Sequence, residues 1–102
     1  MAKQHFFLKL NPPRDSFISD MSPQEREIML QHVAYWQPFV ADGTVIVLGP
    51  VFDPKCAYGI AVVEVEDEKH LQTLISNDPA NGLNKYEIYP MRAVSKMIES
   101  NG

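Results

Sequence analysis

A single cysteine, Cys56, stands alone in 102 residues, so no internal disulfide can form and no thiolate cluster can hold a structural zinc. Basic residues are also few. Nine Lys and Arg against thirteen Asp and Glu leave a net charge of −4 with no run of one sign, which excludes the clustered basic face needed for nucleic acid or an anionic membrane surface. No apolar run approaches the roughly 20 residues of a membrane helix, and Met1-Ala2-Lys3-Gln4 leads into a strand rather than a signal peptide. The glycines Gly43, Gly49, Gly59 and Gly82 are single and scattered, so there is no phosphate-cradling loop. The histidines show no HxH, HxxxH or HExxH spacing. No metal or cofactor is expected, and the setting expected is a reducing cytoplasm.

What is present is one domain's worth of ordinary globular sequence over residues 1–102, 45% hydrophobic and 22% charged. His5 to Leu10 reads as a first strand, stopped by Asn11-Pro12-Pro13. Residues 11 to 21 form a long connection in which Phe17 and Ile18 are apolar, a candidate lid. Ser22-Pro23-Gln24-Glu25 is a capping box that starts a helix, and Gly43 suits the left-handed position past its end. Pro38 inside that helix predicts a kink near Ala34 to Pro38.

Thr44 to Leu48 reads as a second strand closed by Gly49-Pro50, and Tyr58 to Val65 as a third. Asp67 caps a second helix with Leu71, Leu74 and Ile75 as its buried stripe, ended by Asn77-Asp78-Pro79. Lys85 to Tyr89 reads as a fourth strand, and Val94, Met97 and Ile98 suggest a short C-terminal helix. The order βαββαβ is an α+β fold, an antiparallel sheet with both helices on one face. Strands 44 to 48 and 60 to 63 are apolar on both sides. The open sheet face therefore calls for a partner, most simply a second copy of the chain.

The candidate chemistry centres on His32. At 100° per residue, Ile28, Met29, Val33, Tyr35, Trp36, Phe39 and Val40 gather on one arc of the helix, and His32 lies within it. A histidine on such a face needs a polar partner. Asp78, just past the second helix where its dipole disfavours negative charge, is the candidate carboxylate, although Asp-Pro followed by Asn81-Gly82 is also ordinary turn chemistry. Trp36, Phe52 and Tyr58 are candidates to line an apolar substrate pocket around His32. His5 and His70 are expected to face solvent. Cys56 sits beside Lys55, which would lower its pKa modestly, but nucleophilic catalysis by this loop thiol is not expected.

The segments His32-Val33-Ala34-Tyr35-Trp36, Asp42-Gly43-Thr44, Gly49-Pro50, Tyr58-Gly59 and Asn77-Asp78-Pro79 resemble the YCII-related family in order and spacing, over about residues 24 to 90. The resemblance implies a ferredoxin-like fold, a dimeric α+β barrel-type assembly, and His32 with Asp78 as a catalytic pair. It extends to a dehydrochlorinase of chloroaromatic degradation and more loosely to muconolactone isomerases. The function it implies is a cytoplasmic, cofactor-free lyase or isomerase acting on a small aromatic or lactone compound in a cleft, by His/Asp acid-base chemistry. Two positions depart from the pattern: Ala80 replaces the aromatic usual after Asp-Pro, and the helix carries Pro38. The competing reading is a non-catalytic ligand-binding or protein-interaction module, favoured if His32 has no open volume beside it. An RNA-binding βαββαβ domain is excluded by charge and by the lack of an aromatic pattern on the third strand.

Overall fold

The computed structural model describes residues 3–95. The order is β1 (Gln4–Asn11), α1 (Phe17–Asp20), α2 (Pro23–Ala41), β2 (Val45–Val51), β3 (Tyr58–Val65), α3 (Glu68–Ser76) and β4 (Lys85–Met91). The strands form one antiparallel sheet ordered β2-β3-β1-β4, the ferredoxin-like arrangement. Strand alternation sorts β1 and β3 into two faces. Phe6, Leu8, Ala61, Val63 and Val65 point to the side covered by α2 and α3, where they form one core with Val45, Trp36, Leu71, Leu74 and Ile75. Because Trp36 belongs to α2 and the Leu71–Ile75 stripe to α3, both helices cover the same face.

Local chemistry sets the helix ends. The Ser22 hydroxyl accepts from the Glu25 N–H at 3.1 Å while the Glu25 carboxylate accepts from the Ser22 N–H at 2.8 Å, closing the capping box. Asp67 caps α3 through the His70 N–H at 2.8 Å. Gly43, at φ +87°, takes the left-handed turn after α2.

Several expectations are corrected. The connection over 11–21 carries the short helix α1. α2 runs through Pro38 to Ala41, ending before Gly43 as expected; Ala34 and Pro38 are both exposed, so water reaches the carbonyl that the missing N–H leaves free. β2 continues through Gly49-Pro50 to Val51, because β2 is an edge strand and Pro50 needs no second partner for a missing N–H. The buried arc of α2 is narrower than its apolar pattern: Trp36 alone is fully buried, and Val33 and Val40 are exposed. His5 does not face solvent. β1 is an inner strand, and His5 Nε2 lies 3.0 Å from the Glu64 carboxylate of β3. His70 is half-buried, its Nδ1 accepting the Glu66 N–H at 3.3 Å. Val94 is exposed and outside any helix, and the rest of the expected C-terminal helix, Met97 and Ile98, lies outside the described residues.

On the sheet face away from the helices, Phe7, Val47, Ile60, Val62, Tyr89 and Met91 form an apolar surface, with Val47 50% and Tyr89 47% exposed. Among the described residues no helix is long and apolar enough to cross a membrane.

Candidate active site

Asp78 is buried, its side chain wholly without solvent exposure, and it accepts four donors. His32 Nδ1 lies 2.8 Å from Oδ2 and 2.9 Å from Oδ1. Trp36 Nε1 donates to Oδ2 at 3.0 Å, the Ala80 N–H donates to Oδ1 at 2.9 Å, and the Tyr86 hydroxyl donates to Oδ2. Each donor has a local reason for its position. His32 and Trp36 are one turn apart on the core side of α2, Tyr86 is an inward residue of β4, and the Ala80 contact is the Asx turn that follows α3. The Asp-Pro turn and the buried carboxylate are thus one structure.

Burial by itself raises the pKa of this carboxyl, while the hydrogen bonds from His32, Tyr86, Trp36 and Ala80 lower it. The donors outweigh the burial, and Asp78 stays below the ordinary carboxylate range. Burial first, and the neighbouring carboxylate second, push the Tyr86 phenol far above its usual value, so Tyr86 remains a donor. The Tyr35 hydroxyl, also raised by burial and by Asp78, donates to the Leu74 carbonyl at 2.7 Å and ties α2 to α3.

With Nδ1 bound to Asp78, His32 Nε2 has no hydrogen-bond partner among the described residues. Every fully buried side-chain nitrogen or oxygen there is hydrogen-bonded, so this nitrogen keeps an open approach. His32 lines a cleft of about 280 Å³ between α2, the sheet and the 11–21 segment. Its wall is almost entirely apolar, including Leu8, Leu10, Phe17, Met29, Trp36 and Leu48, and Asn84 and Tyr86 also line it. A filled space beside His32 would have favoured the competing module reading; the space is open.

The 11–21 segment closes one side of the cleft with Pro12, Phe17, Ile18 and Met21. It is latched by Arg14, which makes two parallel hydrogen bonds to the Glu25 carboxylate, both at 2.8 Å, and donates from Nε to Asp20 at 2.9 Å. The Arg14 fork, with the Ser22 N–H after it, holds Glu25 down at a pKa of about 2. The candidate lid is therefore tied to the first turn of α2.

Of the residues singled out from sequence, His32, Asp78 and Trp36 come together. Tyr58 reaches the cleft, but its ring lies 4.5 Å beneath the Lys9 ammonium, and Lys9 alternates to the sheet face away from the helices. Phe52 is not part of the wall: it is 73% exposed in the β2–β3 loop, where no element covers it. The Cys56 thiol is pushed up rather than down, first by burial and then by Asp15, so Lys55 does not activate it. Tyr86 and Asn84 were not singled out. Alternation along β4 puts Tyr86 inward with Ile88, but nothing local indicates Asn84. Among the described residues no group of three or more His, Cys, Asp or Glu could hold a metal ion.

The model of the YCII-related domain matches residues 6–95. A search of curated proteins finds no match. Among solved structures, the chain is similar to 5-chloro-2-hydroxyhydroquinone dehydrochlorinase from Burkholderia phenoliruptrix, determined in complex with 2,5-dihydroxybenzoquinone. The identity is 18% and the TM-score 0.63, and the alignment covers 85% of this chain and 93% of that one. At this identity the likeness carries the fold, and the match over residues 6–95 carries the family: the chain belongs to the YCII-related family.

Proposed function

We propose that the protein is a small-molecule lyase or isomerase in which His32 Nε2 moves a proton on a compact ring compound held in the apolar cleft. The observation that carries this reading is the unpartnered Nε2 beside open volume, opposite an Nδ1 bound to a buried carboxylate. An Nδ1–H donated to Asp78 fixes the tautomer that leaves the Nε2 lone pair free to accept, and the carboxylate stabilises the imidazolium that results. Trp36, Tyr86 and Ala80 keep the carboxylate from turning, so it orients the ring. The apolar wall excludes water and strengthens these interactions. The named activity of the structural neighbour makes chlorinated and hydroxylated rings the first compounds to try.

Two measurements test the reading. Nitrogen-15 NMR of the neutral imidazole should show the proton on Nδ1; a proton on Nε2 would remove the base. In a panel headed by 5-chloro-2-hydroxyhydroquinone and muconolactone, the wild type should turn over at least one compound, and a folded His32→Ala variant should lose about 10²–10⁴-fold of that rate. Undiminished turnover without His32 defeats the assignment.

The outward apolar surface of Phe7, Val47, Ile60, Val62, Tyr89 and Met91 supports a homodimer formed through the open sheet face. A cytoplasmic setting accords with the acidic charge and the single free cysteine.

A further inference from the structure

The cleft holds few polar side-chain atoms, and most are already taken. Trp36 Nε1 and the Tyr86 hydroxyl donate to Asp78, and His32 Nδ1 does the same. Besides the hydroxyl of Tyr58, whose ring is turned to Lys9, two groups remain for a ligand: His32 Nε2 and the amide of Asn84.

Asn84 is only 3% exposed, yet its amide has a poor set of partners. Its Nδ2 donates to the Met29 thioether at 3.3 Å, and a thioether is a weak acceptor. Its Oδ1 has no hydrogen-bond partner among the described residues. Since no fully buried side-chain oxygen there is unpaired, Oδ1 retains access to the cleft that Asn84 lines. The thioether is thus the one protein partner of this amide among the described residues, and its oxygen is left for what enters the cleft. The backbone of Asn84 is separately satisfied, its N–H donating to the Ala80 carbonyl at 3.0 Å and its carbonyl accepting from the Gly82 N–H at 3.3 Å. The turn therefore does not need this side chain.

Met29 and His32 stand three residues apart on α2, neighbours on one helix face with Cβ atoms about 5–6 Å apart. Asn84 touches the Met29 thioether and lines the same cleft as His32, so one small ring in the cleft has both groups on its wall. We infer that Asn84 is a substrate-contacting, specificity-determining residue: its Oδ1 accepts a hydroxyl of a mostly apolar ring while His32 acts on another position of that ring. This rests on the proposed function for its second clause, and it narrows the substrate class to hydroxylated rings over purely hydrocarbon or halogenated ones. Discrimination of this kind is strong because a site built around a hydrogen bond leaves its own buried group unpaired with the wrong ligand.

Hydroquinone and p-xylene have nearly the same shape and differ in hydroxyl against methyl. Titrated into the wild-type protein and followed by calorimetry and NMR, hydroquinone should shift the Asn84 side-chain amide signals and p-xylene should not. In Asn84→Leu, hydroquinone affinity should fall about tenfold or more, the equivalent of about 1.4 kcal/mol, with p-xylene unchanged or tighter. Wild-type hydroquinone affinity in Asn84→Leu, or unmoved Asn84 amide signals on saturation with hydroquinone, overturns the inference. If that occurs while His32→Ala still abolishes turnover, the proposed function stands without it. The converse result, a responsive Asn84 with turnover intact in His32→Ala, keeps the hydroxyl contact and removes the base. Binding of neither ring by the wild type defeats the hydroxyl contact outright.

Discussion

Replacing Asp78 by Asn keeps the size and shape of the side chain and removes its charge, so the consequence follows from hydrogen-bond accounting. The carboxylate receives His32 on both oxygens, Ala80 on Oδ1, and Trp36 and Tyr86 on Oδ2. An amide has one acceptor oxygen and one NH₂. If the NH₂ replaces Oδ1 it faces the Ala80 N–H; if it replaces Oδ2 it faces the Trp36 N–H. Either way a buried donor meets a donor. One unmet buried group costs about 1–3 kcal/mol, and the lost charge assistance adds to it, so about 2–4 kcal/mol is expected at pH 7. For a domain of this length that lowers the Tm by roughly 10–25 °C. The pH dependence supplies the sharper test. Asp78 has a folded pKa below its unfolded value, so its stabilisation is present above the ordinary carboxylate pKa of about 3.9 and is lost as pH falls through the folded pKa. Urea unfolding of both proteins from pH 7 down to about pH 2 should show the gap closing on the acid side. A gap under about 0.5 kcal/mol at neutral pH, or one that does not change with pH, refutes the account.

Tyr86→Phe deletes one of the four donors and leaves the carboxylate with three, so a loss of about 1 kcal/mol is expected. The acid limb of the stability curve should also move to higher pH, since a hydrogen bond that lowers the Asp78 pKa is gone; an unmoved limb would mean that Tyr86 does not act through Asp78. For the sheet face, Val47→Asp together with Tyr89→Asp alters two half-exposed outward positions and leaves the core intact. Sedimentation velocity should then change from dimer to monomer with the circular dichroism spectrum preserved, and a wild type that sediments as a monomer at micromolar concentration disposes of the dimer.

Where a structural feature was decided by neighbours in sequence, it could be read there. The Ser22 box, the Asp67 cap, the left-handed Gly43 and the third strand over 58–65 all depend on residues within a turn of one another. The misread features depend on position in the sheet. Gly49-Pro50 ends a central strand but not an edge one, and His5 finds Glu64 only because β1 pairs with β3 in that register. The meeting of His32 with Asp78 was suggested by a polar residue on an apolar face and an acid at a helix end, two anomalies that cancel on contact. Phe52 failed because an aromatic in a loop has no periodic pattern to fix its direction. Asn84 was missed for the opposite reason: a turn asparagine looks ordinary until its side chain is seen buried.

A carboxylate in an apolar core is tolerable only when its acceptor sites are filled, and three of the four groups that fill them here cannot leave. The Ala80 N–H is backbone, Trp36 is wedged against Tyr35 and Phe39 at centroid distances of 5.2 and 5.7 Å, and Tyr86 is held in an inner-facing strand position. His32 is the one donor whose other end is open. Its Nε2 has no hydrogen-bond partner among the described residues and lies beside the cleft, while the Tyr86 phenol is pushed up by burial and Asp78, and the Asp78 carboxyl is held down by its donors against burial. The same fixed scaffold that stabilises the charge thus leaves one ring nitrogen of His32 without a partner among the described residues, on a side chain that lines the cleft.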